Sequence, residues 1–161
     1  MGVLDLERLC WPVSQNLTGA NMDVLARRNL WAVGLDYGHG TGHGVGHYLN
    51  VHEGPNGISF RNETKIKEGM CVSNEPGFYK EGEFGIRIEN VQICQKHLTL
   101  ENHLTWENLT VAPYCRALIK KEILSPDLVK YIDAHSAKCL EKLTPFLQED
   151  QRALAFVQDA C

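Results

Sequence analysis

Apolar positions along the chain change period several times, and each change marks an element. Met22, Leu25, Ala26, Leu30 and Val33 recur at three- and four-residue steps, which predicts an amphipathic helix over 22–33. Asn21 precedes it as an N-cap, and Gly34 follows as a residue that tolerates the left-handed conformation in which helices end. Leu4 to Trp11 predict the end of a further helix. Residues 68–75 predict a short strand running into a turn at Pro76-Gly77. Over 83–95, Phe84, Ile86 and Ile88 fall on one face and Gly85, Arg87 and Glu89 on the other, the two-residue period of a second strand. The apolar phase then shifts at Val91 and Ile93, which implies a bulge or a strand buried on both faces. Leu109 to Pro113 predict another short strand. From Leu124 the period is helical again. Leu124, Ser125 and Pro126 have the form of N′, N-cap and N1, and Leu128, Ile132, Cys139 and Leu143 line one stripe. Thr144-Pro145 predicts a break and restart, with Leu147, Leu154 and Val157 continuing.

Between the first helix and the first strand lies GHGTGHGVGH, Gly38 to His47. A glycine at every second position suits neither a helix nor a strand interior, so this run predicts a shaped loop. With 161 residues the chain suits one domain with a real core. No stretch approaches the ~18 apolar residues of a membrane span, so no membrane association is expected. The net charge of -4 argues against nucleic acid, which wants a basic face. The acidic start MGVLDLERLC is unlike a signal peptide, and Leu6 excludes a myristoylation motif. Six scattered cysteines with no C-x-x-C pair predict free thiols and a cytoplasmic protein. Against this stand N-x-[ST] triplets at Asn16, Asn62 and Asn108, a pattern that also arises by chance.

The residues able to carry chemistry are His39, His43, His52, Glu75 and Glu89. Two carboxylates and an imidazole are a sensible partial set for a hard or borderline divalent ion. Taken singly, each also has an ordinary structural reading: a solvated Glu beside Pro-Gly, a hydrogen-bonding loop His, a cross-strand ion pair of Arg87 and Glu89.

The words themselves go further. HGTGHGVGHYLNVHEGP (His39–Pro55), NEPGFY (Asn74–Tyr79) and EFGIRIEN (Glu83–Asn90), in this order, resemble the C-terminal half of the pita-bread (creatinase/methionine aminopeptidase) catalytic domain. Within that fold family they are most similar to Xaa-Pro aminopeptidases of the eukaryotic cytosolic type. The resemblance is strong from about Asn21 to Ile93. It implies an α+β fold, a curved antiparallel sheet covered by helices, over 1–117, with a helical C-terminal extension over 118–161. It also implies an enzyme that removes the residue ahead of proline. His43, Glu75 and Glu89 would be metal ligands, Glu89 bridging two ions. His39 and His52 would line the substrate site, and Arg87 would hold the ligand carboxylates in place. The family usually works with two Mn²⁺, and related enzymes accept Co²⁺ or Zn²⁺. Two ions sharing a water give hydroxide near neutral pH, and nearby histidines can donate to an oxyanion or shuttle a proton.

The family site also takes two aspartates from the first half of its domain. Asp5, Asp23 and Asp36 do not form their D-x₁₀-D arrangement. The expectation is therefore a fragment with three of five ligands, inactive alone, whose partners are proline-second peptides, the missing N-terminal half of the domain and a second copy in a homodimer. Alternatives are a prolidase-type dipeptidase and a non-enzymatic pita-bread binding module.

Overall fold

The computed structural model describes residues 1–48 and 50–161. They divide into two compact units, Met1–Thr110 and Val111–Cys161.

The first unit begins with helix α1 (Gly2–Glu7) and strand β1 (Cys10–Pro12), so the helix expected to end at Trp11 stops at Glu7 and the chain turns extended. Helix α2 spans Gly19–Trp31. Its N-cap is Thr18, whose hydroxyl accepts from the Asn21 N–H while the Asn21 side chain accepts from the Thr18 N–H. Asn21 thus sits at N3 of a capping box, not at the N-cap, because Thr18 supplies the better-placed oxygen one turn earlier. Gly34 has φ +73°, and the Leu35 N–H returns to the Leu30 carbonyl, closing the helix end as expected.

Two short strands follow, β2 (Gly42–His43) and β3 (Gly57–Ile58), paired antiparallel. Then come β4 (Cys71–Asn74), β5 (Gly77–Lys80), β6 (Phe84–Arg87), β7 (Asn90–Lys96) and β8 (His103–Asn108). The main sheet is antiparallel with order β1-β8-β7-β4, and β5-β6 form a separate hairpin. The single strand expected over 83–95 is therefore two. The phase shift at Val91 is not a bulge: the backbone leaves one hairpin at Arg87 and joins another sheet at Asn90, where Asn90, Gln92 and Cys94 are buried and Val91 and Ile93 half-buried, close to the two-sided burial expected. The strand expected at 109–113 is also displaced. The pairing segment is His103–Asn108, where Leu104 and Trp106 alternate into the core.

The core gathers Leu6, Trp11, Met22, Ala26, Ile58, Ile66, Val72, Cys94, Leu104 and Trp106, with the Trp11 and Trp106 rings 5.5 Å apart. Helix α1 is tied to the sheet by polar side chains. Asn74 Nδ2 donates to the Val3 carbonyl, and Asn90 and Asn108 donate to the buried Glu7 carboxylate.

In the second unit α3 (Pro126–Leu143) starts at Ser125, whose hydroxyl accepts from the Leu128 N–H, as the N′–N-cap–N1 pattern predicted. A 3-10 turn at Thr144–Phe146 interrupts it before α4 (Gln151–Ala160). His135 and Cys139 are buried one turn apart, Nε2 3.3 Å from Sγ. All six cysteines are free thiols. Among the described residues no helix is long and apolar enough to cross a membrane.

Candidate metal centre

Strand β4 delivers Glu75 to the Pro76-Gly77 turn, and its N–H is held by the Thr41 carbonyl at 2.7 Å. Strand β2 lies directly against β4. A Cβ on Gly42 would stand 1.9 Å from the Ser73 carbonyl oxygen, so only glycine permits this approach. The approach brings His43 to Glu75, Nε2 3.3 Å from Oε1. Ser73 joins the two: its buried hydroxyl accepts from the His43 N–H and donates to Glu75 Oε1, both at 2.9 Å. His43 Nδ1 lies 2.9 Å from the Gly44 carbonyl. That carbonyl can only accept, so Nδ1 carries a proton, and Nε2 is the nitrogen left to offer a lone pair to an ion held between it and Glu75.

Glu89 lies in the short connection between β6 and β7. One donor atom from each of His43, Glu75 and Glu89 lies within 4.8 Å of the others. Glu75 is nearly buried, His43 half-buried and Glu89 exposed, so the cluster opens on one side. One imidazole nitrogen and two carboxylates fit a hard or borderline divalent ion.

Arg87 Nη1 stands 3.4 Å from Glu75 Oε2. Its Nε donates to the Tyr79 hydroxyl at 2.8 Å, and that hydroxyl is 2.9 Å from His39 Nε2. His39 Nδ1 faces the Gly40 carbonyl at 2.7 Å. Polarity is consistent along the chain: Arg87 donates to Tyr79, Tyr79 to His39 Nε2, and His39 Nδ1–H to Gly40. The Tyr79 hydrogen bond, opposed by desolvation and helped by the Glu75 and Glu89 charges, raises the Arg87 pKa above its ordinary value. The His52 ring packs on His43 with centroids 4.1 Å apart.

The structure thus brings His43, Glu75, Glu89 and Arg87 together, links His39 to them through Tyr79, and sets His52 on the outer face of His43. Tyr79 and Ser73 were not singled out in the sequence, although both lie in or beside NEPGFY. A signal existed for Tyr79. Gly77 and Gly85 flank it on the β5-β6 hairpin, and a Cβ at either would meet its ring within 3 Å, so the glycines make room for an aromatic lying across them. The three early aspartates are bound elsewhere: Asp5 to Arg28 and Asn29, Asp23 to Arg27 and Thr41, Asp36 to Arg27.

Comparison with known proteins agrees with this layout. The sequence profile of metallopeptidase family M24 matches residues 7–96, and that of the C-terminal region of peptidase M24 matches residues 102–161. Xaa-Pro aminopeptidase 1 of Dictyostelium discoideum is 45% identical over 154 residues, covering 92% of this chain and 24% of that protein. The X-prolyl aminopeptidase of Caenorhabditis elegans, described as a cytosolic enzyme with a di-nuclear active site, superposes with a TM-score of 0.92 at 36% identity over 99% of this chain and 27% of its own. The Xaa-Pro dipeptidase of Bacillus anthracis superposes with a TM-score of 0.57 at 33% identity over 70% of this chain and 28% of its own. The chain spans about a fifth to a quarter of the length of the curated relatives it matches. Its mixed helix and antiparallel sheet are those of the C-terminal part of the pita-bread fold, and the chain belongs to metallopeptidase family M24.

Proposed function

We propose that this chain carries one part of the dinuclear centre of an Xaa-Pro aminopeptidase, with His43, Glu75 and Glu89 as metal ligands. The observation that carries this reading is the meeting of the three donor atoms within 4.8 Å. When bound, two Mn²⁺ ions (or Co²⁺ or Zn²⁺) would supply Lewis acidity and lower the pKa of water into the neutral range. Glu75 and Glu89 offset the cationic charge, and His43 presents Nε2 because its other nitrogen is engaged. Arg87 holds Glu75 Oε2 so that Oε1 faces the site. The His39 and His52 rings line the open side: the exposed His52 can donate to a peptide carbonyl, and His39 Nε2, which accepts from Tyr79, can pass a proton.

An aminopeptidase is favoured over a prolidase-type dipeptidase by the extent of likeness. Curated relatives 45–47% identical over about nine-tenths of this chain are named Xaa-Pro aminopeptidases, and so is the C. elegans enzyme that matches 99% of it. The substrate would be a peptide with proline second and the compartment the cytoplasm, in keeping with the free cysteines. The partners would be a second copy of the chain and the domain portion found in its longer relatives.

The test is hydrolysis of an Xaa-Pro-Xaa peptide with added Mn²⁺, against the same peptide with alanine for proline. The 161-residue chain is assayed alone and with the remaining part of the D. discoideum relative added in trans. Cleavage is expected only in the mixture, selective for proline and abolished by Glu89→Gln. Proline-selective cleavage untouched by Glu89→Gln, or none in the mixture, overturns the reading. Calorimetry showing two tight Mn²⁺ per isolated chain would overturn the need for further ligands.

A further inference from the structure

The loop that carries His39 has almost no regular structure, yet one buried side chain binds it at several points. Arg27, on α2 and 5% exposed, donates from Nε to Asp23 Oδ2 at 2.8 Å. Its Nη1 reaches both Asp36 Oδ1 and the Tyr37 carbonyl at 2.7 Å, and its Nη2 reaches the His39 carbonyl at 2.6 Å. The guanidinium also stacks 3.9 Å above the Tyr37 ring. Asp23, fully buried, completes the clamp. Its second oxygen accepts from the Thr41 hydroxyl, which accepts in turn from the Tyr37 hydroxyl, both at 2.5 Å. The Thr41 carbonyl, two residues on from that of His39, holds the Glu75 N–H. The guanidinium and its carboxylate therefore template every second residue from Tyr37 to Thr41, including the backbone of His39 itself.

We infer that Arg27, oriented by Asp23, is a positioning residue that sets the His39 backbone so that its imidazole meets the Tyr79 hydroxyl that Arg87 also engages. This deepens the proposed function, because the reading of His39 as a substrate-handling group rests on it. The geometry requires a planar fork. Three acceptors lie around the two terminal nitrogens while Nε is committed to Asp23, and a lysine ammonium, a single point of charge, cannot occupy those positions together.

The experiment uses the whole chain with its histidine rings ¹⁵N-labelled. In the parent protein His39 should show the Nδ1–H tautomer, with Nε2 accepting from Tyr79. In Arg27→Lys, His39 is expected to lose this single tautomer and give a broadened, averaged pair of nitrogen shifts, while the shifts of buried His135 stay in place. A role confined to stability would move the thermal midpoint and leave the His39 tautomer of the folded protein unchanged, and that result would overturn the inference. Should Arg27→Lys fail to fold, the paired substitution Asp23→Leu with Arg27→Met removes both charges together, a change buried ion pairs often tolerate. The same loss of the His39 tautomer is expected there, and its retention overturns the inference equally. Failure of the functional reading looks different. If His39→Asn leaves proline-selective cleavage intact in the complemented assay while Arg27→Lys still shifts the His39 tautomer, His39 is positioned but is not a substrate group.

Discussion

Ser73 supplies one hydroxyl that does two things. It satisfies the N–H of His43 and donates to the carboxylate that His43 faces. Glu75 also has Arg87 and His43 beside it, whereas the half-buried His43 N–H is held by Ser73, so the Ser73→Ala variant leaves that N–H unpaired. The expected cost is about 1–3 kcal/mol of stability. Because the hydroxyl orients a ligand without touching an ion, Mn²⁺ affinity should fall by about 10–100-fold. Thermal unfolding with and without Mn²⁺ checks both, and unchanged values in both would show that Glu75 is oriented by Arg87 alone. The sequence made His43, Glu75 and Glu89 legible because their words resemble a known family. It left Ser73, Tyr79 and Arg27 unread for a physical reason. Serine, tyrosine and arginine are ordinary on surfaces and in turns, and their roles arise only when β2 meets β4, when β5 folds on β6, and when α2 lies under the histidine loop.

Among the elements, those set by local chemistry were read well. Ser125-Pro126 starts α3 because a hydroxyl cap and a residue without an N–H suit that position in any context. Gly34 ends α2 for an equally local reason. The strands were read less well. Pairing partners lie far apart in sequence, and two-residue strands such as Gly42–His43 leave no period to detect. The split between β6 and β7 was present as a phase shift, but only the sheet topology distinguishes a change of partner from a bulge. The β2–β4 contact gives a prediction at this scale. Gly42→Ala puts a methyl carbon where the Ser73 carbonyl oxygen now lies, and backbone must move. The cost should reach about 3 kcal/mol, the upper end for overpacking. The displacement also carries His43 away from Glu75, so Mn²⁺ binding should weaken together with stability. Gly40→Ala is the control, since its Cβ would meet nothing nearer than 3.5 Å. Equal behaviour of the two variants would mean that the loop, and not the strand contact, places His43.

Stability of the whole molecule should carry the signature of its free thiols. Burial raises the pKa of Cys94 from an ordinary 9.0 to about 12, with Glu68 adding to the effect, and burial likewise raises Cys71, Cys139 and Cys161. The folded state therefore keeps these protons at pH values where the unfolded chain has released them. Between pH 9 and 12 the unfolded state binds fewer protons than the folded one, so stability is full below about pH 9 and falls as pH rises through this window. Cys94 alone contributes a slope of about 1.4 kcal/mol per pH unit within it. Both compact units contain such thiols, Cys71 and Cys94 in Met1–Thr110 and Cys139 and Cys161 in Val111–Cys161. All three tryptophans, Trp11, Trp31 and Trp106, lie in the first. Urea unfolding followed by tryptophan fluorescence therefore isolates the unit that holds Cys94. From pH 8 to 10.5 the parent should lose more stability than Cys94→Ala, by about 2 kcal/mol. Cys139→Ala should leave that fluorescence difference unchanged, because its thiol titrates in the other unit. Parallel losses in the parent and in Cys94→Ala would break the link between burial of that thiol and alkaline unfolding. The alkaline limit would then belong to other groups, with Tyr37, whose pKa burial also raises, the first to examine.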